Sequence, residues 1–147
     1  MIGNRMKAGL VAFGLLAMAG TAMAQGDVIA ERRAGLKRMG GHMEAMKPVV
    51  EAKGDVKALE PRIDDMIVWY QGLPALFPAG SGTGDTKALP AIWQEPAKFQ
   101  EVNAALLGQL AVLKTAAGAG DTAGFAAAYA DTGPKFCGSC HRPFRAR

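Results

Sequence analysis

The chain has 147 residues, half of them hydrophobic, with 17 Lys and Arg against 13 Asp and Glu and a formal net charge of +4. No basic run is longer than Arg32-Arg33, so the composition does not support nucleic-acid binding, which requires a basic face. The length predicts a single domain.

The first 24 residues have the composition of a secretory signal peptide. Arg5 and Lys7 form a positive n-region, an apolar run follows, and Ala22-Met23-Ala24 is an A-x-A processing site. The apolar run is short for a membrane span and lacks a positive flank after it. We therefore predict removal of residues 1–24, which leaves residues 25–147 as an exported protein without a membrane anchor.

Helix-forming residues dominate the remaining chain, and no alternating β-branched run indicates a strand. One long helix is predicted from Asp27 to about Lys53, because apolar residues recur there at steps of three and four. These residues are Val28, Ile29, Leu36, Met39, Met43, Met46 and Val50. A second helix is predicted from about Val56 to Gly72, with a conflict at Pro61 that is resolved if the helix bends or starts there.

Residues 74–96 are rich in Pro and Gly and form a long connection, which in a compact domain usually wraps around something. A third helix is predicted from Glu95-Pro96 to about Ala117. A fourth, capped by Asp121, contains a predicted kink at Gly133-Pro134. Four amphipathic helices with two short connections and one long one predict an all-α, antiparallel four-helix bundle.

The last helix carries the chemistry. Cys137, Cys140 and His141 form a C-x-x-C-H motif, the attachment pattern of c-type haem. On a helix these side chains share one face. Two thiols can therefore join the porphyrin edge by thioether bonds while the imidazole ligates the iron.

Three other interpretations of the cysteines compete with haem attachment. A thioredoxin-like redox pair requires a βαβ context, which the helical pattern does not provide. A disulfide between residues three apart would be strained and would remove little loop entropy. A zinc site would need more ligands, and only His42 remains. Export and the lack of any other cysteine favour haem.

The combination of motifs resembles the cytochrome c′ family, the class II c-type cytochromes, over essentially the whole mature chain. It rests on Arg32, Leu36 and Met39 in the first helix, LPALFP at 73–78, PAIW at 90–93 and CGSCHRPFR at 137–145. The resemblance implies an up-down-up-down bundle with one covalently attached haem c (heme c). It also implies a periplasmic location and a homodimer.

The resemblance further implies roles for individual residues. His141 corresponds to the axial iron ligand, and Cys137 and Cys140 to the thioether residues. Leu36 corresponds to the residue over the open face of the iron, and Arg32 to a residue near the haem propionates. Arg145 matches a basic residue beside the proximal imidazole. There it would screen the proximal pocket, hydrogen-bond a ligand that replaces the histidine, or pair with a propionate. An equal alternative is that Arg145 is a solvated arginine, favourably placed at the C-terminus of the helix.

A leucine cannot ligate iron, so Leu36 predicts a five-coordinate metal with an apolar distal side. Such a site favours NO and CO over O₂, because O₂ gains most from a hydrogen-bond donor. No pattern for substrate turnover is present, so an enzyme is not predicted. Redox partner proteins are the second class of expected partner.

Methionine ligation remains the alternative. Met39, Met43, Met46 and Met66 have the spacing of core residues, but one of them could bind the iron and make a low-spin electron carrier. Met39 and Trp93 are also counted among residues expected near the haem, Trp93 by packing at the core or the haem edge. His42 is a weaker candidate for the sixth ligand.

Overall fold

A computed structural model describes residues 16–147, with side chains from Asp27 onward. Its helices are α1 (Leu16–Glu51), α2 (Glu60–Gly72), the short α3 (Ala91–Gln94), α4 (Pro96–Ala119), α5 (Thr122–Asp131) and α6 (Gly138–Phe144). Residues 1–15, with the n-region of the predicted signal peptide, lie outside the described residues. Nothing in the described residues tests cleavage after Ala24, which stays a prediction.

The described elements form the predicted bundle. Its four members are α1, α2, α4 and a composite C-terminal helix that runs through α5 and α6. The core between them is apolar, and its most deeply buried side chains are no more than 1% exposed. They include Met39, Met46, Ile63, Met66, Leu110, Leu113 and Phe125.

Proline determines where α2 begins. Val56–Leu59 forms a 3₁₀ turn, and α2 then starts at Glu60 with Pro61 in its first turn. A proline is accepted there because the first N–H groups of a helix have no partner within the helix. The conflict at Pro61 is thus resolved by a late helix start, and Asp55 caps the preceding turn by accepting from the Lys57 N–H.

Proline also shapes the composite C-terminal helix. Between α5 and α6 the chain forms a π-helical turn at Thr132–Cys137, which contains Gly133-Pro134. Pro134 has no N–H for a regular α-helical bond, so the wider turn accommodates it. The predicted kink therefore takes the form of a π turn, and it lies directly before the C-x-x-C-H motif.

The end of helix α4 and the start of α5 are marked by the residues that the sequence predicts. Gly120 ends α4 in a left-handed conformation with φ of 69°, which glycine adopts without strain. Asp121 then caps α5 by accepting a hydrogen bond from the Gly124 N–H. Among the described helices α4 alone is long and apolar enough to cross a membrane, but its inner face contributes to the protein core.

The long connection between α2 and α4 closes one end of the bundle. It begins with a 3₁₀ turn at Leu73–Leu76 and later pairs with the end of the chain. The Leu89 N–H donates to the Phe144 carbonyl at 3.0 Å, and the Ala146 N–H donates to the Lys87 carbonyl at 2.8 Å. The predicted wrapping segment thus joins the C-terminal helix to the rest of the fold.

Candidate haem site

A cavity of about 750 Å³ lies at the end of the bundle where α2 ends and α4 begins. It is bordered by α1, α2, the long connection, α4 and the C-terminal segment. Its lining is mostly apolar, whereas several basic side chains stand around it. A mostly apolar, concave site with a few convergent polar groups is typical of a bound organic cofactor.

The C-x-x-C-H motif borders this cavity. Cys137 is the last residue of the π turn, and Cys140 and His141 lie in α6. Both thiols are free and partly buried. Burial raises the pKa of Cys137, and burial together with Cys137 raises the pKa of Cys140 to about 11. The structure thus brings the three predicted residues to one wall, and it does not form a disulfide there.

The surroundings of His141 favour the neutral form of its imidazole. Desolvation lowers its pKa first, and the positive charge of Arg145 lowers it further. A neutral imidazole is the form that ligates metals. Arg145, predicted to lie beside this histidine, also borders the cavity.

Helix α1 supplies the predicted distal residue. Leu36 is partly buried and borders the cavity together with Gly40 and Met43. These positions share one face, since steps of four and three residues return to it at 3.6 residues per turn. Met39 is expected near the haem, but it does not border the cavity. It is 1% exposed and packs in the core with Met46, because it is turned toward the neighbouring helices.

Arg32 is almost completely buried beside the cavity, with 2% of its surface exposed. Its guanidinium donates to the Leu76 carbonyl, to the hydroxyl and carbonyl of Ser81, and to the Thr86 hydroxyl, at 2.5 to 3.3 Å. It also stacks 4.7 Å from the Phe77 ring centroid. No carboxylate among the described residues pairs with it, and burial lowers its pKa. Arg32 therefore anchors the long connection to α1.

Trp93 is placed outside the cavity lining. Its indole Nε1 donates to the Phe77 carbonyl at 3.0 Å and to the Pro78 carbonyl at 3.1 Å. Its ring packs edge-on against Phe77, with centroids 6.2 Å apart. Trp93 therefore stabilises the long connection behind the cavity wall, and it does not line the cavity itself.

His42 is also away from the cavity. Its Nε2 lies 2.7 Å from an Asp65 oxygen, and Arg62 approaches its Nδ1 at 3.3 Å. Both partners are in α2, so this cluster connects α1 to α2 at the surface.

Other residues border the cavity that sequence reasoning did not assign to it. Phe77 and Phe99 line the cavity and pack edge to face, with their ring centroids 5.0 Å apart. Phe144 continues this cluster, 5.4 Å from Phe99. The aromatic spacing alone could not distinguish core from cavity, because both environments are apolar.

Asn103 is the least expected member of the cavity wall. It is 7% exposed, its Nδ2 donates to the Tyr70 carbonyl at 2.9 Å, and its Oδ1 has no partner among the described residues. The sequence signal that could have identified Asn103 is a polar amide one helical turn from Phe99, on an otherwise apolar face of α4. Tyr70 also borders the cavity, where burial and then the two cysteines raise its pKa.

The residues present fit haem c better than a bare metal ion. No group of three or more His, Cys, Asp or Glu side chains able to hold a metal is found in the part of the chain with described side chains. His141 is the imidazole at the cavity, so a metal there requires further ligands from a macrocycle. Two thiols one turn apart, an apolar chamber and surrounding cations match a porphyrin with vinyl and propionate groups.

Comparisons with known proteins agree with this chemistry. The family model described as Cytochrome C′ matches residues 27–145. A cytochrome c′ from Rhodopseudomonas palustris is 43% identical over 148 residues, covering 95% of this chain and 93% of the relative. A cytochrome c′ from Alcaligenes xylosoxydans is 31% identical over 121 residues, covering 81% of this chain and 93% of the relative.

A solved structure has the same fold. The nitrosyl complex of a cytochrome c prime variant from Alcaligenes xylosoxidans superposes with a TM-score of 0.74 at 28% identity, covering 83% of this chain and 97% of that one. Family model, relatives and fold therefore agree with the motif and the cavity. The chain belongs to the cytochrome c′ family of haem c proteins.

Proposed function

We propose that this protein binds NO or CO at a five-coordinate haem iron. Cys137 and Cys140 would hold the cofactor through thioether bonds, and His141 would be the single axial ligand from the protein. The observation that carries the proposal is the chemistry of two separate walls: α6 presents His141 to the cavity, whereas α1 presents Leu36. A leucine offers neither a ligand atom nor a hydrogen-bond donor.

Gas selectivity follows from the same wall. Haem c supplies an iron that binds diatomic ligands, and the pocket decides which of them are favoured. Bound O₂ is stabilised by a nearby donor, whereas NO and CO depend on one far less. Leu36 therefore favours NO and CO. In support, a related cytochrome c prime from Alcaligenes xylosoxidans has been solved as a nitrosyl complex.

Arg145 is proposed to act on the proximal side. It stands one helical turn beyond His141, borders the cavity and contributes to the lowered pKa of that histidine. In this proposal its guanidinium pairs with a propionate or screens the imidazole. Arg32 is buried and pairs with no carboxylate in the part of the chain with described side chains, and it is proposed to favour the anionic side of the haem.

A six-coordinate electron carrier is the second candidate, and Met43 is the observation that favours it. Of the four methionines considered as ligands, Met43 borders the cavity, whereas Met39, Met46 and Met66 are at most 1% exposed in the core. A thioether from Met43 would give a low-spin iron without an open position.

Optical spectra of the purified ferrous protein separate the two candidates. The five-coordinate proposal predicts a high-spin Soret band that shifts on addition of CO. It also predicts that the Met43→Leu variant has the same spectrum and the same CO response as the unchanged protein. The electron-carrier candidate predicts sharp α and β bands without a CO response, converted to a high-spin spectrum by Met43→Leu. Met39→Leu is the matched control, because it makes the same change in the core.

The distal role of Leu36 has its own test. Leu36→Ala removes three carbons from the α1 wall and should accelerate CO association, measured by stopped flow or flash photolysis. An unchanged rate would show that another group limits access to the iron.

We also propose export to the periplasm and assembly as a homodimer. The predicted signal peptide supports export, and intact mass spectrometry of periplasmic protein should show a chain that begins at Gln25.

For the homodimer, the exposed Val68 on α2 leaves an apolar side chain available for a partner. Light scattering should report twice the monomer mass.

A further inference from the structure

The charges that border the haem cavity are strongly unbalanced. The described lining contains four exposed cations, Arg33, Lys37, Lys87 and Arg145. Among its described residues Asp85, which pairs with Arg33, is the one carboxylate. We call these four cations the basic rim. With the buried Arg32 behind them, five positive charges face one negative charge, a local net charge of +4.

This imbalance exceeds the charge of the whole described molecule. Residues 27–147 contain 15 Lys and Arg and 13 Asp and Glu, a net charge of +2. The surface outside the cavity therefore carries a net charge of −2, and the protein is electrically polar, with its positive end at the cavity. The two propionates of haem c reduce the local charge to +2 and leave its sign unchanged.

Three of the four rim cations are also available for a partner, whereas Arg33 pairs with Asp85. Among the described residues no ion pair involves Lys37, Lys87 or Arg145, whereas most lysines elsewhere are paired, as in Lys98–Glu101, Lys114–Asp64 and Lys135–Asp131. A free cation loses no internal interaction when it meets an external anion. Complementary charges of this kind steer encounter and set orientation.

We propose that the basic rim is a docking surface for an acidic protein partner. The cations come from three segments, namely α1, the long connection and the end of the chain, so they surround a cavity mouth and do not converge on one ion. An anionic membrane is the less suitable partner, because the large exposed hydrophobic residues, Val68 and Val112, lie outside the cavity lining and membrane attachment needs apolar contact as well as charge.

The first experiment maps anion binding on the diamagnetic ferrous–CO holoprotein. Hexacyanochromate(III), a redox-inert paramagnetic trianion, should broaden amide signals of Lys37, Lys87 and Arg145 at low ionic strength. Lys37→Glu/Lys87→Glu should weaken this binding by about tenfold, since four units of charge change near the trianion under partial screening. Broadening spread evenly over the surface would overturn the proposal.

A matched control separates local charge from net charge. Lys53→Glu/Lys57→Glu makes the same change at the opposite end of the bundle, where the Lys57 side chain lies beside Gly120 at the end of α4. It should leave the affinity within about twofold at 0.1 M salt, because screening limits interactions beyond a Debye length of about 10 Å. An equal loss in both double variants would overturn the proposal.

The second experiment asks which kind of anion docks. Poly-L-glutamate should bind the holoprotein with a steep salt dependence that the Lys37→Glu/Lys87→Glu variant loses. Binding of the trianion without binding of poly-L-glutamate would reduce the rim to a small-anion site. Sedimentation with vesicles of equal phosphatidylglycerol and phosphatidylcholine that depends on the rim would instead identify a membrane surface. Either result would overturn the proposal.

Discussion

Replacing Arg32 with methionine should cost about 3 kcal/mol of folding free energy. Methionine retains the apolar stem but removes the donors to Leu76, Ser81 and Thr86. The Thr86 hydroxyl still accepts from a backbone N–H, and the Leu76 carbonyl is partly exposed. The buried Ser81 carbonyl, bonded at 2.6 Å, loses its donor.

The magnitude follows from two contributions. A stranded buried carbonyl costs about 1–3 kcal/mol, and hydrogen bonds from a charged donor contribute about 1.5–3 kcal/mol net. Removal of the buried guanidinium charge offsets part of this loss. A net loss of about 3 kcal/mol should lower the Tm of a domain of this size by roughly 10 °C.

Chemical denaturation of the holoprotein, followed by circular dichroism, measures this loss. The matched control is Arg33→Met, the same change one residue later. Arg33 is exposed and pairs with Asp85 at the surface, an arrangement that contributes about 0–1 kcal/mol. If both variants lose the same free energy, the buried hydrogen bonds of Arg32 do not anchor the connection and the reasoning is refuted.

Two further predictions concern the contact between α1 and α2. A Cβ at Gly35 would overlap the Trp69 indole, whereas one at Gly41 would meet nothing within 4 Å. Both alanine variants gain helix propensity, so Gly35→Ala should be less stable than Gly41→Ala by about 1–3 kcal/mol in urea denaturation. Equal stability would refute the close packing. The hydrogen bond from His42 lowers the pKa of Asp65 below 3.8, so this carboxylate stabilises the fold above about pH 4 and loses that effect as the pH falls through its folded-state pKa. Asp65→Asn should therefore lose up to about 1 kcal/mol at pH 7 and progressively less below about pH 4. A loss that is the same at pH 7 and pH 3 would contradict this assignment.

Local rules accounted for the helices because their signals are short in range. Asp121 and Gly120 mark a cap and a stop by their own backbone preferences. Pro61 could be placed at a helix start for the same reason. The form of the kink at Pro134 was not predictable, because a break in the α-helix and a π turn can both accommodate a residue that lacks a backbone N–H.

The sequence by itself determined the haem chemistry, because the spacing of Cys137, Cys140 and His141 acts within one or two helical turns. Only the tertiary structure decided which side chains face the cofactor. In the folded protein Met39 lies in the core and Met43 borders the cavity. Arg32 is buried against the long connection, more than 40 residues away in the chain. The reason is physical: core and cavity are both apolar, so hydrophobic periodicity marks the inner face of a helix but not what that face meets.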